Sequence, residues 1–517
     1  MKTLLSLLLS VTSMVVMGQS VIPKVRIHEV SGKNILFGSI ELYKTPSKNS
    51  FQTAEFKKYW SFLSSEIQKN IPPKNGKKIK IILSLGYLPT EAYNIKSNQN
   101  NIVISASSYS GFYYGISTLI QLLETQHSDP NYELSSNLNI YDAPEFYYRG
   151  MHLDVSRHFF PTDSILTYID MLARYKYNKF HWHLTDDQGW RLEIKKYPLL
   201  TQIGSKRSET MTGKNFKPYK GDGIPVSGFY TQNDVRKVVE YARIRNIEVI
   251  PEIEMPGHAR AAIAAYPFLS CNKDTLPVPT TWGVFDDVYC INENTFEFMF
   301  DILEEVMNIF PSRLIHIGGD EVVKTRWNNC KICNKTKTKY QLKNSHELQS
   351  YFIQKIDSFI HVHNRIMIGW DEILEGGLAE NAWVMSWRGT KGGIDAAKQK
   401  HNVVMTPGTH CYFDHYQGPQ KNEPLAIGGY TPIEKVYNFK IIPTELNSNE
   451  KQFIQGAQGN VWTEYIPNFS HVQYMTLPRM VALSEVLWGT NVDYIDFLDR
   501  LEHHKTYFKQ QGWNYRK

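Results

Sequence analysis

Residues 179–190 read KFHWHLTDDQGW. An apolar, aromatic run of strand length, Lys179–Leu184, ends on two carboxylates, an amide and a tryptophan. The same unit recurs along the chain. Short apolar runs are predicted as strands at Gly150–Val155, Lys179–Leu184, Ile247–Ile253, Leu314–Ile317, Arg365–Gly369, Ala382–Ser386, Asn402–Thr406 and Ile454–Asn460. Amphipathic stretches at Thr162–Tyr175, Thr231–Arg245 and Thr295–Asn308 carry apolar residues at helical spacing between them. Eight strands alternating with helices predict an α/β fold, a (β/α)8 TIM barrel over 146–517 that closes with a C-terminal helix. The alternative, a doubly wound open sheet, lacks the GxGxxG turn after its first strand.

The residues at the C-terminal end of each strand are the stronger signal. The chain reads DVSRH, TDDQGW, EMPGH, GGDE, WDE, WRG, GTHCYFD and VWTE after the eight runs in turn. In a barrel these ends converge on one face, where reacting groups sit. Strand ends that are merely exposed and polar would account for one or two such sequences. They would not account for eight enriched in Asp, Glu, His, Arg and Trp.

Residues 19–145 lack this repeat and are expected to form a smaller α+β domain. Strand-like runs occur at Lys24–Val30, Ile79–Leu85 and Ile102–Ala106, and Gly111–Leu123 reads as a packing helix. Asp142-Ala-Pro144 marks the boundary. Residues 1–18, with Lys2 ahead of a short apolar run, are expected to be a signal peptide, so a periplasmic or extracellular location is expected. No later run approaches the roughly 18 apolar residues of a membrane span, and none is expected in the mature chain. The net charge of +6 is scattered over 517 residues without a basic stripe, which disfavours a nucleic-acid partner.

Five cysteines are present. Cys271 and Cys290 flank one loop-like segment and are placed to pair as a disulfide. Cys330 and Cys333 form a lone CxxC without a second pair at zinc-ligand spacing, so no metal is expected and a local disulfide or free thiols are favoured. Cys411 completes an odd count.

Asp320-Glu321, after Gly318-Gly319, places two like charges together at a strand end. Repulsion and partial desolvation are expected to raise one pKa, creating a proton donor near neutral pH. Cleavage of a glycosidic bond needs such a donor. His258 and Asp186 stand at neighbouring strand ends, where an imidazole between carboxylates relays protons. A zinc site built from His181, His183, His258 and His316 would require their convergence and has no HExxH-like spacing behind it. Arg157 offers a bidentate donor for sugar hydroxyls, or a structural partner for Asp154. Trp370, Trp387 and Trp462 at one barrel mouth would wall a pocket, and Tyr412, Asp414 and Glu464 add hydrogen-bonding groups there.

With these residues in view, the chain resembles glycoside hydrolase family 20, the β-N-acetylhexosaminidases. The resemblance lies in RGMHLDVSRHFFP (149–161), FHWHLTDDQGWRLEI (180–194), EVIPEIEMPGHA (248–259), LIHIGGDE (314–321), GWDE (369–372), SWRG (386–389) and NVWTE (460–464). YYGISTLIQLL (113–123) also resembles the family's accessory domain. The resemblance implies exo-hydrolysis of terminal N-acetyl-β-D-hexosamine, GlcNAc or GalNAc, from glycans or chitooligosaccharides, without a cofactor. It implies a retaining, substrate-assisted route, an exception to the two-carboxylate scheme. Glu321 would be the acid/base and Asp320 would orient the acetamide. Tyr412 would donate to the acetamide oxygen, and Asp186 with His258 would support Glu321. Trp370, Trp387 and Trp462 would line the pocket, and Arg157, Asp414 and Glu464 would hold hydroxyls. Glu254 stands where the family pattern PEIDMPGH has Asp. Competing readings are an inactive carbohydrate-binding barrel and a disaccharide-releasing relative such as a lacto-N-biosidase.

Overall fold

The computed structural model describes residues 20–517 except 36, 45–53, 71–76 and 129–133, so the expected leader lies outside the described residues. Residues 27–142 form a six-stranded mixed sheet in the order Ile27–Ile35, Leu134–Asp142, Tyr93–Ser97, Asn101–Ala106, Lys77–Leu85, Phe37–Lys44. The last three strands run parallel and the other pairings are antiparallel. The helix Tyr109–Ser128 packs on this sheet through Gly111 and Gly115. A Cβ at Gly111 would stand 2.5 Å from the Ala92 carbonyl oxygen, and one at Gly115 would stand 2.7 Å from Ile104 Cγ2. The glycines therefore set how close the helix can approach.

Eight parallel strands then close a barrel in chain order: Tyr148–Asp154, Lys179–His183, Glu248–Glu252, Leu314–His316, Ile366–Trp370, Trp383–Ser386, Val403–Met405 and Ile454–Gly459. Each falls within two residues of its predicted run. The helices Thr162–Arg174, Gln232–Arg243 and Glu293–Ile309 cover the outside. The second starts at a capping box in which Thr231 and Asp234 satisfy each other's free backbone N–H groups, a local stop worth about 1 kcal/mol.

The barrel interior is layered. Tyr148, Ile250, Leu314, Ile368, Met385 and Val404 form an apolar plug low in the barrel, and Trp370 packs on it. Above the plug, His181, His183 and His316 converge on the buried Glu252, with His152 beside it. The plug closes the bottom, so a ligand can enter only from the C-terminal strand ends. The small domain is joined to the barrel by Arg149, whose guanidinium is bidentate to Glu91 at 2.9 Å and reaches the Tyr114 hydroxyl at 2.8 Å. The C-terminal helix Tyr494–Gln511 holds the start of the described chain through His504 Nε2, 2.6 Å from the Ser20 carbonyl oxygen. Among the described residues no helix is long and apolar enough to cross a membrane.

The cysteines depart from the expected pairing. All five are free, and Cys271 is not bonded to Cys290. Instead the fold brings the 330–333 CxxC back against both of them, and the four sulfurs form one cluster. The second pair that the CxxC lacked in sequence is supplied by a loop folded against it. Cys411 is buried elsewhere, at the end of the short helix Gly408–Cys411 after the seventh strand.

Candidate active site

The turn after the fourth strand is built for close approach. Gly318 and Gly319 take φ of 67° and 91°, and Glu321 itself sits at φ 49°. A Cβ at Gly318 would collide with the Glu254 carboxylate. A Cβ at Gly257, in the neighbouring turn, would stand 3.0 Å from the Asp320 carbonyl oxygen. A glutamate and, at φ 47°, His258 are thus held in the left-handed region that ordinary residues avoid, a strain typical of functional turns.

One cavity of about 410 Å³ at the C-terminal mouth is lined by Arg157, Asp186, His258, Asp320, Glu321, Trp370, Trp387, Tyr412, Asp414, Trp462 and Glu464. Every residue singled out around Asp320-Glu321 therefore opens on the same space, along with His415 and Gly428-Gly429, which the sequence did not single out. A larger cavity of about 1000 Å³ opens at the opposite strand ends. There Glu248 is paired with Lys179 and Glu91 with Arg149, so its acids are neutralised. Size does not locate the chemistry here; the buried acid oxygens left without a hydrogen-bond partner, on Asp320 and Asp414, do.

His258 connects two carboxylates to the acid pair. Its Nδ1 lies 3.0 Å from Asp187 Oδ2 and 3.2 Å from Asp186 Oδ1. Its Nε2 lies 3.4 Å from Glu321 Oε2 and 3.6 Å from Asp320 Oδ2. Burial opposes charge on the ring, but Asp186, Asp187 and Glu321 together outweigh it, so the His258 pKa stands well above the ordinary value. Asp186 is also bound by Arg157 Nη2 at 2.8 Å and His183 Nε2 at 2.9 Å. Asp187 is the shorter contact of His258 and also accepts the Arg260 backbone N–H at 3.0 Å.

The two acids are driven apart, in an order opposite to a simple proton-donor picture. Hydrogen bonding to His258 holds Glu321 below its ordinary pKa, even though burial works the other way. Burial, reinforced by Glu321 and Glu252, pushes Asp320 up to about 7. In the free site the shared proton therefore belongs mainly to Asp320. The two groups titrate as a pair, so the microscopic assignment depends on what occupies the cavity.

The walls are pinned from behind. Trp370 Nε1 donates to Glu252 Oε1 at 2.8 Å, and Trp387 Nε1 donates to Glu372 Oε2 at 2.9 Å. Trp370 and Trp462 meet with ring centroids 5.7 Å apart, and Tyr412 stacks near Trp387 at 6.1 Å. Arg157 lies over the Trp462 ring at 5.2 Å and bonds Asp154, its expected structural partner, as well as Asp186, while lining the cavity. Burial keeps the Tyr412 phenol protonated as a donor. Asp320 Oδ1 and Asp414 Oδ1 are buried with no hydrogen-bond partner in the protein. Such acceptors are costly unless a ligand satisfies them.

The four histidines do not form one ligand set. His181, His183 and His316 gather on Glu252, while His258 belongs to the acid pair. Glu252 was not singled out from sequence; its only signal is its inward place on the third strand, in PEIE.

A (β/α)8 barrel with a closed floor, an acid pair at the fourth strand end and an aromatic-walled cavity above it defines a glycoside-hydrolase type of scaffold. The match to known proteins narrows this. The family model for the glycosyl hydrolase family 20 catalytic domain covers residues 146–491, and the model for domain 2 of that family covers residues 18–143. The chain belongs to glycosyl hydrolase family 20. It is 46% identical over 436 residues to a Beta-hexosaminidase of Porphyromonas gingivalis, covering 83% of this chain and 55% of that protein. It is 35% identical over 406 residues to a Beta-hexosaminidase of Vibrio furnissii, covering 76% and 64%. The chain thus spans only part of the length of these relatives. Its fold is similar to that of a family 20 exo β-N-acetylglucosaminidase from Vibrio harveyi, solved with N-acetylglucosamine, at TM-score 0.82 and 31% identity over 96% of this chain and 78% of the other. It is also similar to a β-N-acetylhexosaminidase from Bacteroides fragilis, at TM-score 0.79 and 29% identity over 96% and 97%.

Proposed function

We propose that the chain is an exo-acting β-N-acetylhexosaminidase that releases terminal non-reducing GlcNAc or GalNAc by a retaining, substrate-assisted mechanism. The observation that carries this reading is the unpartnered Asp320 Oδ1, buried beside Glu321 in an aromatic-walled cavity. An acetamide N–H is a donor of the right size and polarity for that oxygen. Its methyl group fits among the tryptophans, which offer apolar faces. Oxygens of Asp320 and Glu321 lie within 4.8 Å of each other. Both acids can therefore face one bound sugar, Asp320 at the acetamide and Glu321 at the leaving oxygen.

In this mechanism the acetamide carbonyl oxygen attacks the anomeric carbon as Glu321 protonates the leaving oxygen. The nucleophile arrives tethered to the substrate, so its effective concentration is high without an enzyme nucleophile. Tyr412 donates to the attacking oxygen, and anionic Asp320 offsets the positive charge on the cyclised intermediate. Glu321 then removes a proton from the water that opens this ring. Substrate binding must therefore move the shared proton. Donation from the acetamide favours the Asp320 anion, while loss of solvent raises the Glu321 pKa. Asp414 and Glu464, both raised by burial, and Arg157 would receive the sugar hydroxyls.

The test compares aryl N-acetyl-β-glucosaminide with the matching β-glucoside, and then adds a thiazoline analogue of the cyclised intermediate. The expected result is turnover of the acetylated substrate only, with competitive inhibition. Indifference to the thiazoline would remove the substrate-assisted step. No turnover of any N-acetylhexosaminide would leave a carbohydrate-binding barrel.

A further inference from the structure

We infer that Cys271, Cys290, Cys330 and Cys333 form a structural zinc site that clamps the loop after the third strand to the segment after Glu321. Cys290 and Cys333 are fully buried, Cys330 nearly so, and Cys271 is partly covered. The sulfurs of Cys271 and Cys333 are 3.7 Å apart, those of Cys290 and Cys333 3.7 Å, and those of Cys290 and Cys330 3.8 Å. All four lie within 4.8 Å of one another. A tetrahedral ion with metal–sulfur bonds of about 2.3 Å sets its sulfurs about 3.8 Å apart. The spacing therefore matches a cage around one ion. It is too tight for an iron–sulfur cluster, which must also enclose its own sulfides.

Two disulfides are the competing arrangement, since an exported chain meets oxidising conditions. The contacts admit one pairing, Cys271–Cys333 with Cys290–Cys330, but a third contact of the same length, Cys290–Cys333, joins those two pairs. Cys290 is equally close to Cys330 and Cys333, and Cys333 is equally close to Cys271 and Cys290. Shared neighbours of this kind are what a common centre produces. The sequence spacing agrees: Cys330-x-x-Cys333 is a zinc-ligand pair at the start of the helix Lys331–Lys339. The other two ligands come from segments joined by the Ser270–Tyr289 bridge. On binding, each thiol loses its proton, and the N-terminal turn of the helix faces the resulting negative charge.

The site's position explains its use. Residues 322–329 alone separate Glu321 from Cys330. Trp327 Nε1 donates to the Tyr289 carbonyl oxygen at 2.9 Å, and Thr336 Oγ1 donates to that of Ile291 at 3.1 Å. The Tyr289 N–H in turn bonds the carbonyl oxygen of Pro256, two residues from His258. Zinc at the four sulfurs would lock together the turns that present His258 and Glu321.

The experiment measures metal and thiols on the full chain, purified without chelator from zinc-supplemented cells. Elemental analysis is expected to find one zinc per chain, released only on denaturation or by a thiol-blocking mercurial. Exchange with Co²⁺ is expected to give thiolate-to-metal charge-transfer bands with tetrahedral d–d absorption. Cys333→Ser is expected to lose the zinc, while Cys411→Ser retains it. If Cys333→Ser fails to fold, the zinc content and cobalt spectrum of the unaltered chain still decide. Stoichiometric iron, no stoichiometric metal, or peptide-mapped disulfides among the four cysteines would each overturn the assignment.

Discussion

His258 Nε2 lies 3.4 Å from Glu321 Oε2, so the group proposed as acid/base is held as a carboxylate by a charged imidazole until substrate arrives. The reactive arrangement, a Glu321 acid beside an Asp320 anion, has the same proton count as the resting one. Both track the population of the singly protonated pair. kcat/KM against pH should therefore be bell-shaped. The alkaline limb should lie near the Asp320 value of about 7, and the acidic limb below the ordinary glutamate range. A rate that keeps rising through pH 8 would contradict a shared proton.

Glu321→Gln separates the two roles of the pair. The variant cannot protonate a leaving group, so alkyl or sugar leaving groups should lose roughly 100- to 10,000-fold in kcat/KM, the usual scale of general acid catalysis. Aryl groups that leave as stable phenolates should lose much less in bond cleavage. Removing the neighbouring charge also lowers the Asp320 pKa, because Glu321 is one of the groups raising it. The descending alkaline limb should then vanish. Equal losses across leaving groups would argue against the acid role.

Asp320→Asn should abolish turnover and stabilise the fold. Asp320 is raised from an ordinary 3.8 to about 7 in the folded protein. Between those values the folded state still holds the proton that the unfolded chain has lost, so stability falls as pH rises through the window. Below the ordinary value there is no penalty, and above about 7 it is complete. The asparagine removes it, a gain of roughly 2–4 kcal/mol at pH 8 and little at pH 4. Thermal melts of both proteins at the two pH values check this. A variant less stable at pH 8 would mean the anion is already well satisfied.

The barrel was legible because each strand is a short apolar run and each end delivers its functional groups in sequence order. Asp320, Glu321 and His258 could be singled out for that reason alone. The smaller sheet was only partly legible. Leu134–Asp142, LSSNLNIYD, mixes serine and asparagine into its alternation, and Tyr93–Ser97 is five residues long, so neither stands out as a strand. Roles that depend on contacts between distant segments were beyond sequence reading. Glu252 matters through Trp370, at the end of a different strand, and Cys271 meets Cys333 only because a loop folds back. The order of the acid pKa values was also hidden, since burial of Asp320 and the approach of His258 to Glu321 are properties of the assembled mouth.

Asp187 is the contact whose importance the sequence left unweighted, and it yields the sharpest test of the relay. It approaches His258 Nδ1 more closely than Asp186 does, at 3.0 Å against 3.2 Å. Unlike Asp186, it makes no ion pair with Arg157 or His183 in the structure, so Asp187→Asn perturbs the relay with least damage to the rest of the mouth. Losing that charge weakens the imidazolium. Glu321 is then held less firmly as a carboxylate, and the acidic limb of kcat/KM should move to higher pH. A charged hydrogen bond of about 1.5–3 kcal/mol corresponds to roughly 10- to 100-fold in kcat/KM. KM should change little, because Asp187 does not line the cavity. A loss of thermal stability with an unmoved acidic limb would reduce Asp187 to a purely structural acceptor for the Arg260 backbone.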